Sequence, residues 1–259
     1  MGDIMPAVFL GHGNPMNAIQ ENIYTGAWRR LGEEIPRPKA ILAISAHWYI
    51  ADTAVTGSEA PETIHDFYGF PRELSEVTYP APGSPALAGR VMELLQPLQT
   101  LRNDHRGLDH GVWSVLCHMY PDASIPVVQL SIDSTKTPDF HFETGKRLRA
   151  LREEGILVVG SGNIVHNLRA YRWDDRTAPP FDWALRFESW ARRLMVEGNG
   201  SQLVDFMALG DDARLASPTP DHFLPVLYIL GMQGVDEPVS FPVEGIEGGA
   251  ISMLAVRIG

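Results

Sequence analysis

The sequence predicts an α/β sandwich built on a mostly parallel sheet, and three observations carry that prediction. Apolar runs of strand length recur along the chain, helical patterns separate them, and neither an internal repeat nor a low-complexity linker divides the 259 residues. A strand that is apolar at every position is covered on both faces, as in a parallel sheet between helices. Strands alternating with helices give the α/β class. A single domain spanning residues 1–259 is expected, since a chain of this length can bury one large core.

The first run, residues 6–11, passes directly into Gly11-His12-Gly13-Asn14-Pro15, and the second, residues 39–46, into His47-Trp48. Residues 61–84 have neither period and are rich in Pro, Gly and aromatics. A loop this long costs ordering entropy that packing or ligand contacts must offset, so it is read as a wall or lid of a site. A helix over residues 85–95 follows, capped by Ser84 with Pro85 in its first turn. Another, over residues 112–119, puts Val112, Val115, Leu116 and Met119 on one face directly after Asp109-His110-Gly111.

Residues 125–132 read as a buried strand, 140–152 as a helix and 156–160 as a further strand leading through Gly160-Ser161-Gly162 to His166. Residues 181–195 form an amphipathic helix through Trp183, Phe187, Trp190 and Leu194. A last helix over residues 220–230 has Thr219 as cap and Pro220 in its first turn. Strands at 238–243 and 251–258, joined by the glycine-rich turn 244–249, are expected as an antiparallel addition that makes the sheet mixed.

The formal charge of −11, with no basic run longer than a pair, argues against nucleic acid as a partner. The start, Met1-Gly2-Asp3-Ile4-Met5-Pro6, lacks the basic and apolar regions of a signal peptide or membrane anchor, and Pro6 stands where myristoylation needs Ser or Thr. Asn199-Gly200-Ser201 fits a glycosylation sequon, a triplet frequent by chance. Cys117 is the only cysteine, which excludes an internal disulfide and suits a reducing compartment. The expectation is a cytoplasmic protein, with no membrane contact, acting as a monomer or small homo-oligomer.

Ligands collect at the carboxyl ends of the strands in an open α/β sheet, so histidines placed there converge. His12, His47 and His166 follow three such strands, and imidazole is both a common ligand of zinc and iron and the usual acid or base near neutral pH. The glycines flanking His12 allow close approach of backbone to an ion. His47 taken alone is a half-buried strand-end residue; its case rests on pairing with His12. The glycines at 160 and 162 are read as letting His166 face the same crevice, in preference to a phosphate cradle, for which the motif is incomplete. Asp109 either orients a neighbouring imidazole or caps the helix behind His110. His222, in the first helical turn, should stay neutral because a positive charge is disfavoured there. His65 in the aromatic loop is a candidate for substrate contact, as are Trp48, Phe67 and Tyr68. Arg169 is a candidate for a substrate carboxylate, with a solvated arginine as the simpler reading. His105, His118 and His141 are expected on the surface or on helix faces.

Several segments in order carry a specific likeness: Phe9-Leu10-Gly11-His12-Gly13-Asn14-Pro15-Met16, Ser45-Ala46-His47-Trp48, Thr63-Ile64-His65-Asp66-Phe67, Asp109-His110-Gly111, Ser161-Gly162-Asn163-Ile164-Val165-His166 and Pro218-Thr219-Pro220-Asp221-His222. The chain resembles the DOPA extradiol dioxygenases of the LigB-like, class III ring-cleaving superfamily. The resemblance implies a three-layer α/β/α sandwich with a mixed, mostly parallel central sheet. It also implies one mononuclear metal site, Fe(2+) or Zn(2+), and a catechol such as DOPA with O2 as the co-reactants. By position it makes His12, His47 and His222 metal ligands, and His166 an acid, a base or a fourth ligand. His222 stands where the wider superfamily has a carboxylate. His166 and then His110 are the expected proton-transfer groups, with His65, Trp48 and Phe67 against the substrate. The alternatives are a zinc hydrolase using the same histidines and a non-enzymatic metal-binding protein, which would need a site too closed to admit a catechol.

Overall fold

The structure is a computed structural model, and it describes residues 4–259; the expectations placed on Met1, Gly2 and Asp3 lie outside the described residues. In chain order the first half contains β1 (Ala7–Gly11), α1 (Ile23–Glu34), β2 (Ala40–Ile50), β3 (Ala54–Thr56), α2 (Arg72–Ser75), α3 (Pro85–Leu94), β4 (Leu101–Asn103) and α4 (His110–Met119). The second half contains β5 (Val127–Asp133), α5 (Pro138–Leu148), α6 (Ala150–Glu153), β6 (Ile156–Gly162), α7 (Asp182–Val196), α8 (Asp211–Ala216), α9 (Leu224–Gly231), β7 (Val239–Ser240), β8 (Ile246–Glu247), β9 (Ile251–Ser252) and β10 (Ala255–Ile258).

Eight strands form one sheet in the order β4-β3-β5-β2-β6-β1-β10-β7. Strands β5, β2, β6 and β1 run parallel, whereas β3 pairs with β5, and β10 with β1 and β7, in antiparallel sense. The sheet is therefore mixed and mostly parallel at its centre. Because side chains alternate along a strand, Phe9, Leu42 and Val158 enter the core beneath α3, α5, α7 and α9, while Val8, Ile41 and Leu157 enter the opposite core beneath α1 and α4. Two cores on one sheet make three layers.

Several boundaries differ from the sequence expectation for identifiable reasons. Strand β2 does not stop before His47. Its pairing with β5 breaks off at Ile44 and resumes at Tyr49, so residues 45–48 form an irregular bulge inside the strand. A bulge re-aims side chains, and this one carries His47. The last helix begins at Leu224, not Pro220, because the amides of Phe223 and Leu224 both bond to the Pro220 carbonyl in a preceding turn. The expected strand 251–258 is split into β9 and β10, with β9 turning away to pair with β8. Ser84 caps α3 as expected, accepting the Leu87 amide at 3.1 Å. Helix α1 was not anticipated; Asn22 and Thr25 exchange side-chain and backbone hydrogen bonds in a capping box at its start. Among the described residues, no helix is long and apolar enough to cross a membrane.

Candidate metal centre

Five imidazoles, those of His12, His47, His110, His166 and His222, line one cavity of about 240 Å³. The end of β1 delivers His12, the bulge within β2 delivers His47, and His222 enters from the turn before α9. Gly162, at the end of β6, sets that arrangement: a Cβ there would meet the His222 carbonyl oxygen at 2.1 Å. The Asn163 amide, one residue on, bonds to that carbonyl at 2.9 Å. The expected turn at Gly160-Ser161-Gly162 is the last part of β6, where the two glycines admit the backbone of Pro225 and His222.

One ring nitrogen from each of His12, His47 and His222 lies within 4.8 Å of the other two. The Ser161 hydroxyl donates to the Gly111 carbonyl at 2.5 Å, and its oxygen lies 2.9 Å from Nδ1 of His12. A hydroxyl has a single proton to give, so Nδ1 of His12 must donate to Ser161 and Nε2 presents a lone pair. That Nε2 stands 3.2 Å from Nε2 of His47. Behind His47, Nδ1 lies 3.4 Å from an Asp66 carboxylate oxygen, and behind His222, Nδ1 lies 2.5 Å from Asp221. An oxygen behind Nδ1 that turns Nε2 forward is the usual support of a metal-binding histidine.

Burial is the largest influence on these rings and disfavours their charged forms. His47 and His166 are lowered to about 4, and His12 and His222 fall well below their ordinary value, with neighbouring imidazoles adding to the effect. His222 is neutral through burial, since α9 begins two residues beyond it. Neutral imidazoles are the form that binds metals, so this donor set fits one divalent ion such as Fe(2+) or Zn(2+).

Asp66 went unassigned in the sequence and is the central acid of the site. One carboxylate oxygen accepts both the backbone amide and Nδ1 of His110, at 3.0 and 2.8 Å, while the other faces His47. Burial would raise this carboxyl, but the hydrogen bonds from His110 and the closeness of the His47 ring outweigh it and hold Asp66 well below the usual carboxylate range. Asp109 stands at the N-cap position of α4, but its side chain makes no cap bond; it accepts instead from Ser45 at 2.6 Å and Gln129 at 2.8 Å.

The remaining expected residues divide. Phe67 lines the cavity together with Tyr68 and Phe70, so the 61–84 loop is indeed a wall. His65 does not reach it: its Nε2 lies 2.8 Å from the Val77 carbonyl and its ring packs on Phe67 and Trp113. Trp48 is buried outside the cavity, beneath the Arg106 guanidinium at 5.5 Å, because adjacent strand residues point to opposite sides. Arg169 is exposed and outside the lining. Of the surface or helix-face settings expected for them, His118 and His141 take helix positions, in α4 and α5, with buried side chains bonded to the Asn17 carbonyl and the Tyr228 hydroxyl. His166 lines the cavity but stands outside the three-nitrogen cluster.

Residues 6–249 match the family model described as the catalytic LigB subunit of aromatic ring-opening dioxygenase. The chain is 52% identical to a protein of Escherichia coli (strain K12) named 4,5-DOPA dioxygenase extradiol, covering 98% of this chain and 95% of that protein. It is 36% identical to a Beta vulgaris protein of the same name, covering 96% and 95%. A solved structure of an uncharacterized Escherichia coli K12 protein superposes with a TM-score of 0.86 at 47% identity, covering 98% of this chain and all of that one.

Proposed function

The chain belongs to the LigB family of aromatic ring-opening dioxygenases, and from that premise we propose that its cavity opens the ring of a catechol beside the two hydroxyls. Both atoms of O2 enter the product, a muconic semialdehyde, so catechol and O2 account for every atom. The observation that carries this reading is the His12 to Ser161 to Gly111 relay, which leaves a lone pair on Nε2 of His12 facing Nε2 of His47 at 3.2 Å.

His12, His47 and His222 are the proposed ligands. A divalent metal held by them supplies Lewis-acid polarisation of the diol oxygens and, as iron, the electrons that activate O2. His166, neutral near pH 7 and on the cavity wall, is the proposed base for a diol proton. His110, with Nδ1 held by Asp66, is the second proton-transfer group. Phe67, edge-on to His110 with ring centroids 5.6 Å apart, is the proposed wall against which the catechol ring lies. The open cavity of about 240 Å³ disfavours the non-enzymatic reading, which requires a closed site.

L-DOPA is the first substrate to test, since both curated relatives carry it in their names. Protein loaded anaerobically with Fe(II) should consume O2 with L-DOPA or another catechol and form a yellow product, and His12→Ala should abolish both. No uptake by protein that verifiably holds iron would overturn the proposal.

A further inference from the structure

The mouth of the cavity is apolar where protein surface is ordinarily polar. Tyr68, Trp173 and Leu168 all line it, at 95%, 59% and 50% exposure. Each is presented by a braced segment. Asn167 Oδ1 accepts the amides of Arg169 and Ala170, both at 3.1 Å, and so fixes the turn that carries Leu168. The Tyr171 hydroxyl donates to Glu247 at 2.6 Å, and the Trp173 ring packs edge-on to Tyr171 with centroids 4.8 Å apart. Tyr68 sits between Phe67 and Phe70, whose rings pack against each other at 5.5 Å. Exposed apolar side chains gathered around a pocket mark a surface that a ligand covers.

Charge points the same way. Among the described residues lining the cavity there is no Lys, Arg, Asp or Glu. The nearby Glu247 is committed to Tyr171 and Arg176.

We infer that the rim of Tyr68, Leu168 and Trp173 selects catechols carrying an uncharged apolar substituent, alkyl or aryl, over catechols carrying an amino-acid or carboxylate side chain. The inference rests on the catechol reading above, with the diol at the imidazole floor and the substituent toward the mouth. An apolar chain there is removed from water against three large side chains, an effect of up to about fourfold per methylene. A carboxylate or ammonium at the same place meets no charged side chain among the residues that line the cavity and loses hydration.

The test is a matched series on Fe(II)-loaded protein: catechol, 4-methylcatechol, 4-propylcatechol, 4-butylcatechol, 3-(3,4-dihydroxyphenyl)propanoate and L-DOPA. Oxygen uptake gives kcat/KM, and anaerobic titration calorimetry gives Kd. The expected result is a rise of about twofold or more per methylene, with 4-propylcatechol ahead of both charged compounds by about tenfold. Trp173→Ala and Leu168→Ser should at least halve the logarithmic gain per methylene. Charged compounds that match or exceed 4-propylcatechol overturn the inference, as does a variant that slows every compound equally. If no catechol consumes oxygen, the reaction reading fails, and the Kd series still decides the rim: the same ranking upholds it and a flat one overturns it.

Discussion

The imidazoles of His166 and His222 lie face to face, with ring centroids 3.5 Å apart and planes 4° from parallel. His222 contributes a nitrogen to the three-membered cluster and His166 does not. Of the two roles open to His166, this relationship favours a base beside the site over a fourth ligand. His166→Ala should therefore keep metal affinity within about threefold while lowering kcat by about 10²–10⁴. Calorimetric metal titration beside steady-state oxygen uptake decides it; unchanged turnover would refute the catalytic role, and lost metal would make His166 a ligand.

Ser161 sets the tautomer of His12 by donating its hydroxyl hydrogen bond to the Gly111 carbonyl, which leaves its oxygen to accept from Nδ1. Ser161→Ala removes the acceptor behind Nδ1 and should weaken metal binding by about 10–100-fold. Competition with a chromogenic chelator reads this directly, with circular dichroism to confirm that the fold persists.

Asp66→Asn keeps the shape of the side chain and removes its charge from between His47 and His110. The expected loss in kcat/KM is about 10–100-fold, with Asp66→Ala more severe because the 61–84 loop also loses its tie to the His110 amide. Limited proteolysis should cut that loop faster in the alanine variant than in the asparagine variant; equal cutting would show that Asp66 does not tether it.

His141 lies in the core away from the cavity, with Nδ1 2.8 Å from the Tyr228 hydroxyl. Burial lowers its pKa from the ordinary 6.5 to about 4. Below pH 6.5 the unfolded chain gains a proton that the folded chain refuses. Stability from this residue is therefore complete above pH 6.5 and declines as pH falls toward about 4, by about 3 kcal/mol at most. Urea unfolding at pH 7 and pH 4.5 should show a smaller pH-dependent loss in His141→Leu than in the unaltered protein; equal losses would count against the shift.

The histidines that follow apolar strands, His12, His47 and His166, were legible because strand and histidine are neighbours in the chain, and all three line the cavity. Their supports were not. Ser161 acts on His12 across 149 residues and Asp66 on His110 across 44, and no local pattern marks either pairing. Ser161 even lay within the turn singled out for its glycines, but the proton chain it completes exists only after β1 and β6 pair. Trp48 was misplaced because β2 runs on through His47, which sends the next side chain to the opposite side of the strand, and the apolar run does not show where the strand ends. Strands β3 and β4, three residues each, are too short for a period to show.

The parallel pairing of β1 with β6 and its antiparallel pairing with β10 place the earliest strand of the chain between partners made much later. His12 emerges from the ribosome near the start of synthesis, yet Ser161, which sets its tautomer, and His222, which completes the cluster, follow by roughly 150 and 210 residues. A nascent chain therefore cannot bring the nitrogens of His12, His47 and His222 together until residue 222 has left the ribosome, and the cluster is a product of tertiary folding with no local precursor.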